Sequence, residues 1–226
     1  MKGIIADKDD DLEWLWPPNT IADVAAWDKY WTDQIRHGLT PPLFDFMNNG
    51  AELAAVMTTL GMQSVLCAGN GISQEPRAFA EAGFRATALD PCSVATRFAE
   101  AWQFGAKDYE LNLEPQPRRA GGEVQFVVGD ILDPAACLGP FDAVVERRML
   151  QLFEPERRPA ALSALAARMK ENAILLSHVH YGHWKPGDDR THPLQSLFVE
   201  AGWQPWSPYQ GPKPPGRVAW LCFSTG

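Results

Sequence analysis

The sequence has no run of roughly 18 uninterrupted apolar residues, the length a membrane-spanning helix needs, so no membrane span is expected. It has no excess of positive charge. Its 20 lysines and arginines stand against 28 aspartates and glutamates, a formal net charge of −8. Non-specific binding to a phosphate backbone requires clustered cations, so a nucleic acid is not an expected partner. Cysteine is sparse and scattered, at Cys67, Cys92, Cys137 and Cys222. With no C-x-x-C pair these read as reduced thiols of a cytoplasmic protein. The opening residues, Met1-Lys2-Gly3-Ile4-Ile5-Ala6-Asp7, turn acidic at once and do not read as a signal peptide. The chain holds 18 glycines and 19 prolines, well below the roughly 25–30% of a low-complexity segment. Internal repeats are absent as well.

What remains is ordinary globular composition: 226 residues, 46% hydrophobic and 21% charged. That length suits one domain with additions. Tryptophan is abundant at nine, and Trp14, Trp16, Trp27 and Trp31 fall near the start. Residues 1–20 read as an extended arm. Residues 21–37 read as a helix, because Val24, Trp27, Trp31 and Ile35 make one apolar stripe. A second helix is expected over 43–60, closed by Gly61. From residue 64 short apolar runs alternate with helical patterns. Strands are expected at 65–68, 84–89, 124–128, 141–145, 173–179, 203–206 and 218–223. Helices are expected at 76–82, 93–104, 155–170 and 193–201, with loops at 106–122 and 180–192. Strands alternating with helices imply a mostly parallel sheet. Ligands of such sheets sit beyond the C-terminal strand ends.

The first strand end is Ala68-Gly69-Asn70-Gly71-Ile72-Ser73-Gln74-Glu75. Its two glycines permit a sharp turn and close approach of a ligand. A dinucleotide loop would place a third glycine at position 74, where this chain has Gln74. Glu75 suits a cationic or amino-bearing ligand better than a diphosphate. The second strand ends at Asp90-Pro91, 21 residues after Gly69. An acid at that separation suits the two hydroxyls of a ribose, although it also suits a turn. The third ends at Gly129-Asp130-Ile131-Leu132, where Asp130 can accept from an adenine amino group and Ile131 and Leu132 can pack on the ring. The fourth ends in Glu146-Arg147-Arg148. Charges ending a buried strand are costly unless paired or facing a cleft, so a ligand site and surface ion pairs both fit.

In order and spacing these segments resemble the class I S-adenosylmethionine-dependent methyltransferases, from about residue 64 onward. Val65-Leu66-Cys67-Ala68-Gly69-Asn70-Gly71 resembles the family's first motif, with Cys67 in place of its usual acid. Leu89-Asp90 resembles the acid that holds the ribose, and Val128-Gly129-Asp130-Ile131 the adenine side. Phe141-Asp142-Ala143-Val144-Val145 resembles the strand beneath the methyl donor, and Ala201-Gly202-Trp203 with Trp220-Leu221-Cys222-Phe223 the closing reversed hairpin. Trp27-Asp28-Lys29-Tyr30-Trp31 and Glu146-Arg147 more weakly resemble the thiopurine-methyltransferase-like branch. The resemblance implies a Rossmann-like three-layer α/β sandwich. Its mostly parallel seven-stranded sheet would have the last strand antiparallel. Residues 1–60 would form an N-terminal arm and helical cap, and 61–226 the S-adenosylmethionine-binding domain. The implied cofactor contacts are Trp31, Ala68, Gly69, Asn70, Gly71, Glu75, Asp90, Pro91, Asp130, Ile131, Leu132, Glu146 and Arg147.

The acceptor, a small molecule, would meet Trp27, Trp31, Arg147, His180 and His183. An aromatic face beside a sulfonium gains about 0.5–2 kcal/mol of cation–π attraction, although Trp27 and Trp31 equally suit docking of a helix on the core. His178 and His180 share a strand face. Their cluster with His183 and His192 lacks a metal-ligand spacing, so no metal is expected. His180 is the candidate general base. Two other readings stay open: a non-catalytic cofactor-binding or regulatory protein of the same fold, and an NAD(P)-dependent oxidoreductase, which the missing glycine at 74 and the presence of Glu75 disfavour.

Overall fold

A computed structural model describes residues 18, 20–37, 50–101, 121–180, 193–205 and 218–224, with the backbone alone at 180, 193 and 218–222. Outside the described residues lie most of the expected arm, Pro41-Pro42, the first part of the second expected helix, nearly all of the loops expected at 106–122 and 180–192, and Trp206.

The described chain forms helices α1 (Val24–Arg36), α2 (Gly50–Thr59), α3 (Glu75–Glu81), α4 (Ser93–Ala101), α5 (Met149–Leu152), α6 (Arg158–Ala166) and α7 (Pro193–Glu200). The strands are β1 (Ser64–Ala68), β2 (Arg85–Asp90), β3 (Glu123–Val128), β4 (Phe141–Arg147), β5 (Met169–His180), β6 (Gln204–Pro205) and β7 (Val218–Ser224). They make one seven-stranded sheet in the order β3-β2-β1-β4-β5-β7-β6. β1 to β5 pair in parallel, and β7 runs antiparallel to both β5 and β6.

Alternation along the strands assembles a core on each face. Val65 and Cys67 of β1, with Ala143 and Val145 of β4, pack against Leu53, Ala54 and Met57 of α2 and Phe79 of α3. Leu66, Ala68, Val144 and Leu175 turn to the other face, against Leu150, Leu162, Leu165 and Phe198. The result is a three-layer sandwich. α2, read from the sequence as part of the cap segment, packs in the sheet's own helical layer. α1 lies instead against α4 and the loop after β1, through Tyr30, Trp31, Ile72, Cys92, Ala95 and Phe98.

Several boundaries differ from expectation. α1 begins at Val24 rather than 21 because the Asp23 carboxylate accepts from Ala26 N–H at 2.9 Å and caps it. The helix expected over 155–170 ends at Ala166. Buried Arg168 donates to the carbonyls of Cys137, Ala164 and Asp133, and Met169 already pairs with Phe141. A single turn of tighter helix at Pro155–Arg157 precedes α6, and β5 starts four residues early, with Asn172 at a φ of 61° inside a register shift. β4 runs two residues past the expected 145 to take in Glu146 and Arg147, whose charges both find partners inside the fold.

Candidate active site

Strand order reverses at β1 and β4: β2 and β3 follow on one side of β1, β4 and β5 on the other. The register brings Ala68 beside Leu89 and Glu146, and Arg147 beside His178. The loop after β1, the end of β2 and the end of β4 therefore meet at one point above the sheet, the usual ligand position of such folds.

Gly69 and Gly71 have positive φ of 63° and 53°. A Cβ on Gly69 would stand 2.6 Å from the Met149 Cβ, so the loop can cross the start of α5 only without a side chain. A Cβ on Gly71 would stand 3.1 Å from the Trp31 ring. Trp31 thus lies against the glycine loop while docking α1 on the core. Trp27, at 6.2 Å between ring centroids, is tilted against it and donates from Nε1 to the Thr20 carbonyl at 2.8 Å.

Asp90 joins the loop to the second strand. Its Oδ2 accepts from Gly71 N–H and its Oδ1 from Cys92 N–H, each at 2.8 Å. The carboxylate is only 9% exposed. Burial pushes its carboxyl up to about 6, the two backbone donors pull it back, and Asp28 of α1 raises it again. Asp28 accepts from the Cys92 thiol at 2.7 Å and from Val94 N–H at 3.0 Å, tying α1 to the start of α4. Burial and the hydrogen bond to Asp28 push the Cys92 thiol up. Each Asp90 oxygen still has a free lone pair. Asn70 is buried beside it, its Nδ2 donating to the Gly71 and Ser73 carbonyls while its Oδ1 meets no partner among the described residues. Orphaned acceptors of this kind call for a donor from elsewhere.

Glu75 and Arg147 form a bidentate pair, Nε to Oε2 at 2.7 Å and Nη2 to Oε1, with side chains 2% and 8% exposed. Glu75, read from the sequence as suiting a cationic or amino-bearing ligand, is held by this guanidinium of the chain itself. Cys67, where the resembled family has an acid, lies buried near both. Burial and Glu75 push its thiol up. Glu146 points to the opposite face of the sheet, is fully buried and accepts from the Ser177 hydroxyl and from Leu150 N–H at 3.2 Å.

Asp130 is exposed and caps its own turn, accepting from Leu132 N–H at 2.9 Å, while Ile131 is buried in the core. Pro91 is partly buried between Asp90 and α4. His180 ends β5, opposite Val218, with only its backbone described, and His183 and His192 lie outside the described residues. His178, read from the sequence as sharing a strand face with His180, is buried beside Arg147. The α5 turn, with Arg148 at a φ of 59°, was missed, because no local signal marks a left-handed arginine. A cleft of about 580 Å³ opens at the opposite edge, near Ser64, Arg85, Glu123 and Lys170, and holds none of the residues expected in the site. Among the described residues no cluster of potential metal ligands occurs, and no helix is long and apolar enough to cross a membrane.

Solved structures that this chain resembles include methyltransferases. Magnesium protoporphyrin IX methyltransferase from Synechocystis, with bound S-adenosylhomocysteine, matches at a TM-score of 0.61 and 16% identity over 90% of this chain and 100% of that one. A 1,6-didemethyltoxoflavin-N1-methyltransferase from Burkholderia thailandensis, with its namesake ligand and S-adenosylhomocysteine, matches at 0.58 and 18%, over 88% and 86%. A TehB-like methyltransferase from Corynebacterium glutamicum matches at 0.55 and 15%, over 88% and 96%. This chain has the class I methyltransferase fold. No family model and no curated protein matches it in sequence. Within the class I fold, the glycine loop and Asp90 stand at the strand ends where the sequence resemblance placed the cofactor.

Proposed function

We propose that this protein transfers the methyl group of S-adenosylmethionine to a small-molecule acceptor. The observation that carries the reading is Asp90: a buried carboxylate with no cation opposite it among the described residues, held beside a two-glycine loop at the reversal of strand order. A ligand diol donating to its free lone pairs offsets the burial of that charge. The buried, unpartnered Oδ1 of Asn70 offers a further acceptor next to it.

Gly69, Asn70, Gly71 and Asp90 would hold the cofactor from one side, Trp31 and Pro91 from another, and Asp130, Ile131 and Leu132 beyond the end of β3. The bound cofactor supplies a methyl on positively charged sulfur, already activated for displacement. The protein's task is then to align donor and acceptor and to exclude water. The Glu75–Arg147 pair braces the loop where Cys67 replaces an acid. Trp27 and Trp31 would cover the site from α1, and the acceptor would meet Arg147 and, as the sequence suggests, His180 and His183. A base is needed only by an acceptor that arrives protonated, and His180 is the candidate. The buried free thiols Cys67, Cys92 and Cys137 suit a reducing, cytoplasmic setting.

Calorimetry with S-adenosylhomocysteine tests the reading. The wild type is expected to bind, and Asp90→Ala to bind roughly 10-fold or more weakly. Equal affinity would remove Asp90 from the site. A second reading, a regulatory protein that binds the cofactor without turnover, is favoured by the closed state of the site, with Trp31 on Gly71 and Glu75 bound to Arg147. Methyl transfer to any acceptor of a small-molecule panel would exclude it.

A further inference from the structure

Helix α4 starts without an oxygen cap of its own. α1 is closed by the carboxylate of Asp23 just before it, but the residue before Ser93 is Cys92, whose sulfur is a weak acceptor. The oxygen comes from another helix. Asp28 of α1, 66 positions before Val94, accepts from the Val94 N–H at 3.0 Å in the first turn of α4. The same Oδ1 accepts from the Cys92 thiol at 2.7 Å. Two donors at the start of α4 are thus satisfied from the cap helix, and without Asp28 they would lose their acceptor.

Cys92 is also the residue on which Asp90 leans. Pro91 between them has no N–H to offer. Asp90 Oδ1 therefore takes the Cys92 N–H, and its Oδ2 takes the Gly71 N–H, each at 2.8 Å. The direction in which Asp90 points depends on where Cys92 is held, and the Cys92 side chain is held by Asp28.

The line of contacts returns to α1. A Cβ on Gly71 would stand 3.1 Å from the Trp31 ring, and Trp31 lies three residues after Asp28, one turn along the same helix. Asp28, Cys92, Asp90, Gly71 and Trp31 close a circuit from the cap helix through the end of β2 and the glycine loop and back. Trp31 and Cys92 also share one buried apolar cluster with Ile72, Ala95 and Phe98. Every member of the circuit touches its neighbours directly, and Asp28 is the one furthest from the proposed ligand position.

We propose that Asp28 is a positioning residue of the cofactor site: from α1 it fixes the turn that aims Asp90, and it acts on nucleoside binding through Asp90 without touching the ligand. This deepens the methyl-transfer reading and rests on it.

The test is calorimetry on the full chain with S-adenosylhomocysteine and, separately, with adenosine, which carries the same diol. Asp28→Ala is expected to weaken both roughly 5- to 10-fold. Asp28→Asn keeps an oxygen for the Val94 N–H and the thiol, and should bind within about 2-fold of the wild type. In an Asp90→Ala background the Asp28→Ala change should cost less than about 2-fold, because residues that act through one another are not additive. A role confined to holding α1 in place would give the same loss in both backgrounds. Cys92→Ala cuts the circuit at the thiol and should weaken both ligands several-fold, again only where Asp90 is present; it decides the matter alone if Asp28→Ala does not fold. Wild-type affinity in Asp28→Ala, a loss as large after Asp90 has been removed, or an Asp28→Asn variant as weak as Asp28→Ala would each overturn the proposal. A wild type that takes adenosine but not S-adenosylhomocysteine would strike the methyl-transfer reading, with Asp28 scored on adenosine. One that takes neither would overturn both.

Discussion

Glu146 is the most deeply buried acid of the strand ends. Burial pushes its carboxyl from an ordinary 4.5 up to about 7, against the pull of Ser177 and the α5 backbone donors. The folded state therefore holds this proton more tightly than the unfolded chain. The stability it contributes is fully present below about pH 4.5 and is lost as pH rises through about 7. Asp90 adds a loss of the same sign between its ordinary 3.8 and about 6. Glu146→Gln keeps an acceptor for Leu150 N–H and can donate to Ser177, so it removes only the ionisation. The variant is expected to match the wild type near pH 4 and to exceed it by up to about 3 kcal/mol at pH 8. Urea unfolding at the two pH values measures this, and a wild type that gains stability from pH 5 to pH 8 would contradict it. At this scale Asp90 and the two glycines were legible in the sequence, because loop and acid stand at a telling separation. The Glu75–Arg147 pair was not, since the partners lie 72 residues apart and meet only through strand register.

Among the elements, α1 packs in a cluster of its own, apart from the two cores that cover the sheet. It touches the rest of the fold through Tyr30, Trp31 and Gln34, with Trp27 and Ile35 partly buried beside them, and through the Asp28 carboxylate at the start of α4. Truncating a buried tryptophan costs about 3–5 kcal/mol, and Trp31 is central to this cluster. In Trp31→Ala, trypsin is therefore expected to cut after Lys29 and Arg36 well before it degrades the sheet. Cleavage at the wild-type rate would show that α1 does not depend on Trp31. The stripe Val24, Trp27, Trp31 and Ile35 predicted the helix and nearly its buried face, which is turned to bring Tyr30 inward. Strands β1 and β2 were legible because each is a short apolar run closed by Gly or Asp-Pro. The long β5 was not, because 169–172 carry Lys170, Glu171 and Asn172 and pair across a bulge rather than by alternation.

For the molecule as a whole, β7 holds a position out of proportion to its length. It pairs with β5 from Ile174 to His180 and is the sole described strand partner of β6. Removing residues 218–224 is expected to strip two strands at once and to leave β5 as a bare apolar edge, which templates aggregation. Size-exclusion chromatography of the truncated protein measures this, and a monomeric, soluble product would count against it. Because β7 wedges between β5 and β6, β6 waits, already synthesised, for a neighbour still inside the ribosome. Nascent chains that have emitted everything up to residue 205 carry an open seam on the finished half of the sheet. The interval before closure is when a chaperone has most to offer this protein.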